Sequence, residues 1–350
     1  LTVPQSEGME VNLCDGKSPA GGSPYEMKWI MMHKQAEEPV KSQVLGLMET
    51  YRDQPVIQQV TNLALSGADE SGYAAAGCVV KLADRTDTLF ASADPAVART
   101  AEGGFKFAGR FGLYAEKDGQ PVAMSLVGGT ELSKGDFGLK IAQPEYRAKI
   151  TKVDRKTETI TVSPAPPAVE AIKGATIFLC TVPSPPAPLP GGEGSKTTAG
   201  RRLAYKVLAA KTVAGGVELR LNMDSRIGTG KVSGTSDFMV QTGTPFTLQS
   251  WGYYEGARIV NAAKDVEYKI NEVRSGTGAY LDKFAAPEAK VEKLAAQFPK
   301  GSWFEVYDYG VGDDIAWPYA VSVTRRTNGV YEVKSPVPVT LSLPEGAKSK

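Results

Sequence analysis

Short apolar and β-branched runs, separated by turn residues at intervals of about ten positions, dominate this chain and argue for many short strands. Residues 77–82, 88–90, 111–114 and 122–127 are such runs, divided by Ala83-Asp84-Arg85, Lys117-Asp118-Gly119 and Gly128-Gly129. Residues 149–154 and 159–162 alternate β-branched with polar side chains on either side of the polar turn 155–158, the pattern of a hairpin. A second hairpin runs from 205–208 to 217–221 across Ala214-Gly215-Gly216. With 37 glycines and 23 prolines, 60 of 350 residues, about one position in six punctuates the chain. The expected class is all-β, with antiparallel strands.

The organisation reads as follows. Residues 1–24, rich in Gly, Pro and Ser, form a loop or tail. Residues 25–250 form a large antiparallel β-sandwich. Within it, residues 183–200 are a Pro- and Gly-rich insertion, because five prolines and three glycines in positions 183–195 cannot pair as a strand. Residues 251–345 form a smaller β module with a helix at 287–298. There Pro287 opens the helix, Val291, Leu294 and Phe298 make its apolar stripe, and Pro299 and Gly301 end it. No apolar run approaches the ~20 residues that span a bilayer. A chain beginning Leu1-Thr2-Val3-Pro4 is expected to be the later part of a longer protein.

The charges nearly cancel, 40 Lys+Arg against 39 Asp+Glu, so no overall field favours nucleic acid, and no basic stripe stands out. His33 is the only histidine. A multi-histidine metal site is therefore excluded, and any imidazole acid–base step would have to use His33, which lies near Glu37 and Glu38. Cys14, Cys78 and Cys180 are too far apart for a zinc ribbon and read as structural thiols, with a single bridge as the alternative. Gly228-Thr229-Gly230-Lys231 lacks the upstream glycine and the following Ser or Thr of a phosphate loop and reads as a turn. Asp308, Asp313 and Asp314 have the composition of a calcium loop without its spacing and read as a polar turn. No cofactor or metal is expected.

Trp251-Gly252-Tyr253-Tyr254, followed by Arg258, is the densest aromatic cluster. Aromatic faces stack on sugar rings and a guanidinium can grip a uronate carboxylate in bidentate fashion. Trp251, Tyr253, Tyr254 and Arg258 are thus candidate substrate-binding residues, against the alternative that alternate aromatics fill a core.

Several stretches together resemble the C-terminal, β-rich half of the heparinase II/III-like polysaccharide lyases. They are residues 25–33, 46–55, Gly109-Arg110-Phe111-Gly112, 129–136, 226–230 and 308–313. The resemblance covers about 25–345 and lies in turns and strand ends. It implies antiparallel sandwich domains preceded in the same protein by an α/α toroid, an acidic polysaccharide as partner, and β-elimination as the chemistry. It also makes His33 the candidate for the histidine that the sandwich contributes to catalysis. The toroid, which carries most of the catalytic groups in that family, has no counterpart in this chain. The expected function is therefore the non-catalytic C-terminal part of a secreted or periplasmic lyase-like protein, supporting the toroid and the substrate groove. The alternative is a non-enzymatic carbohydrate-binding or adhesion protein of tandem β-sandwiches.

Overall fold

A computed structural model describes residues 9–17, 26–35, 46–67, 75–180, 202–247, 251–281, 286, 288–327, 329–344 and 348–349. The fold is all-β with antiparallel pairing throughout, apart from one short parallel pair between Val330–Lys334 and Lys348–Ser349. Two compact units divide it. One comprises residues 1–144 and 319–350, the other residues 145–318.

The first unit is a sandwich. An eight-stranded sheet has the spatial order Lys348–Ser349, Val330–Lys334, Ala320–Arg325, Gln120–Val127, Phe111–Lys117, Thr86–Ser92, Ala75–Leu82, Ile57–Leu63. A six-stranded sheet has the order Thr340–Ser342, Phe137–Lys140, Glu131–Lys134, Phe105–Ala108, Arg99–Ala101, Leu65–Gly67. Aromatic rings drawn alternately from the two sheets interlock between them. Phe90 meets Phe105 at 5.3 Å, Phe105 meets Tyr114 at 5.3 Å, Tyr114 meets Phe137 at 6.1 Å and Phe137 meets Tyr331 at 5.1 Å. Period-2 alternation sends these side chains inward, where the rings meet in tilted and edge-on arrangements. The Tyr331 hydroxyl donates to the Pro121 carbonyl at 2.8 Å, which satisfies the one polar atom the tyrosine brings into the core. Also in this unit, Met9–Lys17 pairs with Glu26–Lys34 as a separate two-stranded ribbon.

The second unit holds two closed six-stranded barrels, one nested inside the other in sequence. The first barrel closes in the order Glu145–Asp154, Thr159–Ser163, Gly216–Leu221, Arg202–Val213, Thr176–Cys180, Asp314–Pro318. Its interior is apolar, with Ile150, Ile160, Val162, Ile177, Leu179, Val207, Val217, Leu219 and Ile315 buried. The second barrel closes in the order Arg226–Ser236, Met239–Thr242, Gly278–Leu281, Glu267–Arg274, Arg258–Asn261, Trp303–Tyr307. It is filled by Val232, Val240, Ile259, Ile270, Leu281, Phe304 and Val306, with Leu294 and Phe298 from the helical segment packed in. The chain thus leaves the sandwich after Pro144, builds most of one barrel, builds all of the next, and completes the first with a single returning strand. At the outer crossing the Tyr319 N–H donates to the Pro144 carbonyl at 3.0 Å.

The sequence expectations meet this structure unevenly. Both hairpins form, with Val153 opposite Ile160 and Lys211 opposite Glu218. The tail expected at 1–24 contains the strand Met9–Lys17. The proposed boundary at 250/251 falls among the strands of the second barrel, and the chain after 319 returns to the sandwich rather than closing a C-terminal module. The insertion at 183–200 lies outside the described residues. The helix runs over Val291–Gln297 rather than from 287, because the Asp237 carboxylate accepts the Val291 N–H at 2.9 Å and supplies the N-terminal cap from a distant turn.

Phe137 touches aromatic neighbours in both directions across the sandwich, so Phe137→Ala leaves a cavity that rigid strands cannot close. It is expected to cost about 3–5 kcal/mol, read from urea unfolding of the sandwich signal.

Candidate functional site

Arg258, Asp308 and Asp313, all singled out in the sequence, converge where the chain passes between the barrels. The outgoing connection ends at Ser225 and the returning one begins at Asp308, whose N–H donates to the Ser225 carbonyl at 2.9 Å. Around this crossing the Arg155 side chain, from the turn of the first hairpin, is 9% exposed and reaches into the second barrel. Its guanidinium donates to Glu267 at 3.0 Å and to the Tyr309 carbonyl at 2.5 Å, and it lies 4.2 Å over the Tyr307 ring. Arg258 donates from Nη2 to Asp313 Oδ1 and from Nε to Oδ2 at 3.3 Å, while Glu267 stands 3.9 Å from its Nε. Asp313 is 4% exposed and accepts the Gly310 N–H at 2.8 Å. Burial pushes its carboxyl above the usual range against the pull of Arg258. The Tyr205 hydroxyl donates to Asp308 at 2.6 Å, and burial raises the tyrosine well above its ordinary pKa. Glu158 accepts from the Ser225 hydroxyl at 3.0 Å, and its pKa is raised by burial.

This arrangement assigns the acidic turn a mechanical task. Asp308 is held by Tyr205, Asp313 by Arg258 and Gly310, and Asp314 by Lys149 at 2.8 Å. The three carboxylates point to three different partners, and no group of three or more metal-ligating side chains converges among the described residues. Gly310 is required by space. A Cβ there would collide with Glu267 Oε1 and approach Arg258 Cγ at 2.8 Å, pushing the two ion pairs apart.

The aromatic cluster divides. Tyr254 is fully buried, edge-on to Phe246 at 5.9 Å, with its hydroxyl donating to the Ile227 carbonyl at 3.2 Å. It is core. Arg258 is engaged by Asp313 and Glu267, which occupies the guanidinium proposed for a uronate. Trp251 and Tyr253 remain exposed on the turn Trp251–Tyr254, at 51% and 36%. His33 sits on the two-stranded ribbon directly opposite Glu10, with Nδ1 3.7 Å from the Glu10 carboxylate and both side chains largely exposed. Cys14, Cys78 and Cys180 form no disulfide, and burial pushes the Cys78 thiol up to about 11. An open cleft in the sandwich is lined by Lys81, Arg85, Lys117 and Lys134. Its cations are largely matched: Lys117 by Asp84 at 3.5 Å, Arg85 by Asp87 at 3.0 Å, and Lys134 by Glu116.

A second polar row lies along the outside of the second barrel, on strand Trp303–Tyr307. Phe304 and Val306 point inward and are fully buried, so Trp303 and Glu305 point outward. Trp303 is 58% exposed. Glu305 accepts hydrogen bonds from Arg226 at 2.9 Å, Lys264 at 2.8 Å and Tyr307 at 2.7 Å. Burial would raise the Glu305 carboxyl, but Lys264, Tyr307 and Arg226 together bring it down to about 2. Sequence reading passed over this row. The signal was present: the alternation Trp303-Phe304-Glu305-Val306 places the tryptophan and the glutamate on one face. Gly228-Thr229-Gly230-Lys231, read as a turn, is part of the strand Arg226–Ser236, and a Cβ at Gly230 would meet Phe304 at 2.6 Å. That glycine is there for packing.

Comparisons of the chain with protein-family models, with curated proteins and with solved structures find no match. No helix among the described residues is long and apolar enough to cross a membrane, a statement that does not bear on strands.

Two predictions follow from these contacts. Arg258→Met leaves Asp313 buried without its principal counter-ion and is expected to cost about 3–5 kcal/mol. The double variant Arg258→Met with Asp313→Leu should recover most of that loss, a coupling measured by a denaturation cycle. Because Glu305 ionises more readily folded than its ordinary value of 4.5, the stability it contributes is complete above pH 5. That contribution fades as pH falls from about 4.5 towards 2. After allowance for solvent screening, Glu305→Gln should therefore cost about 1–2 kcal/mol at pH 7 and almost nothing near pH 2, read from urea midpoints at the two pH values.

Proposed function

We propose that this chain is a non-catalytic β-rich region that contacts an acidic glycan, as the C-terminal part of a secreted or periplasmic heparinase II/III-like lyase would. The observation that carries the reading is the unequal fate of the polar and aromatic groups in the second unit. Its buried cations and carboxylates are tied to one another across the barrel crossing, while Trp251, Tyr253 and Trp303 keep ring surface open to solvent. Ion pairs locked in this way make a rigid support; open aromatic faces suit stacking on sugar rings. Eliminating across a uronate needs a free base beside a group that neutralises the carboxylate. His33 has a carboxylate, Glu10, directly opposite it on an exposed ribbon.

A second reading, a non-enzymatic carbohydrate-binding or adhesion protein of tandem β-sandwiches, is supported by the sandwich of the first unit. The coding sequence upstream of Leu1 separates the two: a helical toroid supports the lyase-like protein, further β modules the adhesion protein.

Both readings are tested by mixing the purified chain with a panel of uronate polysaccharides. Unsaturated uronate ends are followed by ultraviolet absorbance and complex formation by calorimetry. Binding with flat absorbance is expected. Rising absorbance would overturn the non-catalytic assignment and make His33 the first residue to replace, and failure to bind any of the panel would overturn both readings.

A further inference from the structure

The geometry points to a sugar-acid subsite on the outer wall of the second barrel, centred on Trp303 and Lys231. This inference rests on the glycan-binding reading above and gives it a location that the aromatic cluster at 251–254 does not supply. Lys231 is directly opposite Trp303 in the pairing of Arg226–Ser236 with Trp303–Tyr307, so their side chains leave the barrel on the same face as neighbours. Both are exposed. No carboxylate among the described residues is paired with Lys231, in contrast to Arg155, Arg258, Lys149 and Lys264. This is the pairing of aromatic face and available cation that the sequence suggested for Trp251 and Arg258, where the structure commits the arginine to Asp313.

One pleat further along the same strand, about 6.6 Å away, stands Glu305. Its single charge is shared between Arg226 and Lys264, each about half-exposed. The row therefore offers a flat indole and an ionised carboxylate on one strand, with a lysine opposite the indole on the neighbouring strand. Each matches a feature of a sugar acid. The indole takes the apolar face of the ring, the carboxylate accepts from ring hydroxyls, and Lys231 takes the acid group. A deoxyribose phosphate strand is a poorer fit, since it has few hydroxyl donors for Glu305. The strand is rigid because its inward residues, Phe304 and Val306, are fully buried in the barrel, so the row is preformed.

The test uses the full chain and titrates it by calorimetry and tryptophan fluorescence with a galacturonate hexamer, with cellohexaose as the neutral control and a thymidine oligonucleotide as the polyanion control. The galacturonate is expected to bind more tightly than either control, with an affinity that falls as salt rises. Trp303→Ala should weaken binding about tenfold and Lys231→Gln about threefold, while Trp303→Phe retains most of the affinity and Trp251→Ala changes it less than about twofold. All three positions are exposed, and unchanged thermal midpoints check that the four variants fold. Undiminished galacturonate binding by Trp303→Ala, with loss in Trp251→Ala, would overturn this location and leave the glycan reading standing. Absence of galacturonate binding by the unaltered chain would overturn both, and equal or tighter binding of the oligonucleotide would replace the sugar acid by a nucleic acid.

Discussion

The arrangement of the second unit depends on two buried ion pairs at the point where the chain crosses between barrels and comes back. Arg155 reaches from the first barrel to Glu267 on the second, and Arg258 on the second holds Asp313 on the return connection. Each barrel has its own apolar interior. What the two interiors cannot do is set the angle and register of one barrel against its neighbour, since apolar contact is non-directional. Guanidinium–carboxylate pairs are directional, and a buried charge displaced from its partner is costly. The crossing is therefore where orientation is decided.

The same crossing engages most of its polar atoms, with the buried Tyr309 hydroxyl the exception. Two connections, Asn222 to Ser225 and Asp308 to Asp313, run side by side, and their backbone groups need partners away from water. Asp308 N–H to the Ser225 carbonyl satisfies one pair, and Asp313 captures the Gly310 N–H. Tyr309 contributes its carbonyl to Arg155 and its ring to Tyr205, edge-on at 5.5 Å. A glycine at 310 allows Glu267 and Arg258 to approach the backbone closely enough for the network to close. Stabilisation by such a network is modest after desolvation; its larger effect is to penalise every other relative placement of the two barrels.

What the sequence discloses follows from the range of each interaction. Local signals were legible: the all-β class, the hairpin turning at 155–158 and the hairpin turning at 214–215, because alternation and turn chemistry act within a few residues. The nesting was not legible. Closure of the first barrel pairs Ala148 with Ile315 and Phe178 with Ala316, partners with an entire second barrel between them in the chain. Nothing in the run 314–318 distinguishes a strand of a new module from the last strand of an old one. Arg258 shows the same limit. Its neighbours in sequence are aromatic, its neighbours in space are Asp313 and Glu267, and only the spatial ones determine what a guanidinium is free to do. The helix start moved because its cap comes from Asp237, more than fifty positions upstream.

Closed barrels also dictate where a ligand surface can lie. Interiors of six strands are filled by their own side chains and leave no room for a sugar, and closure removes the sheet edges on which a partner strand could add. Recognition is then confined to connections or to the outward half of each strand. On most outward positions of the second barrel, short or charged side chains keep the wall soluble. An exposed tryptophan beside an available lysine departs from that pattern, and solvation alone gives no reason for it. The exception is also sited where a ligand would lose least by ordering the protein, on a strand whose alternate residues are locked into the barrel core.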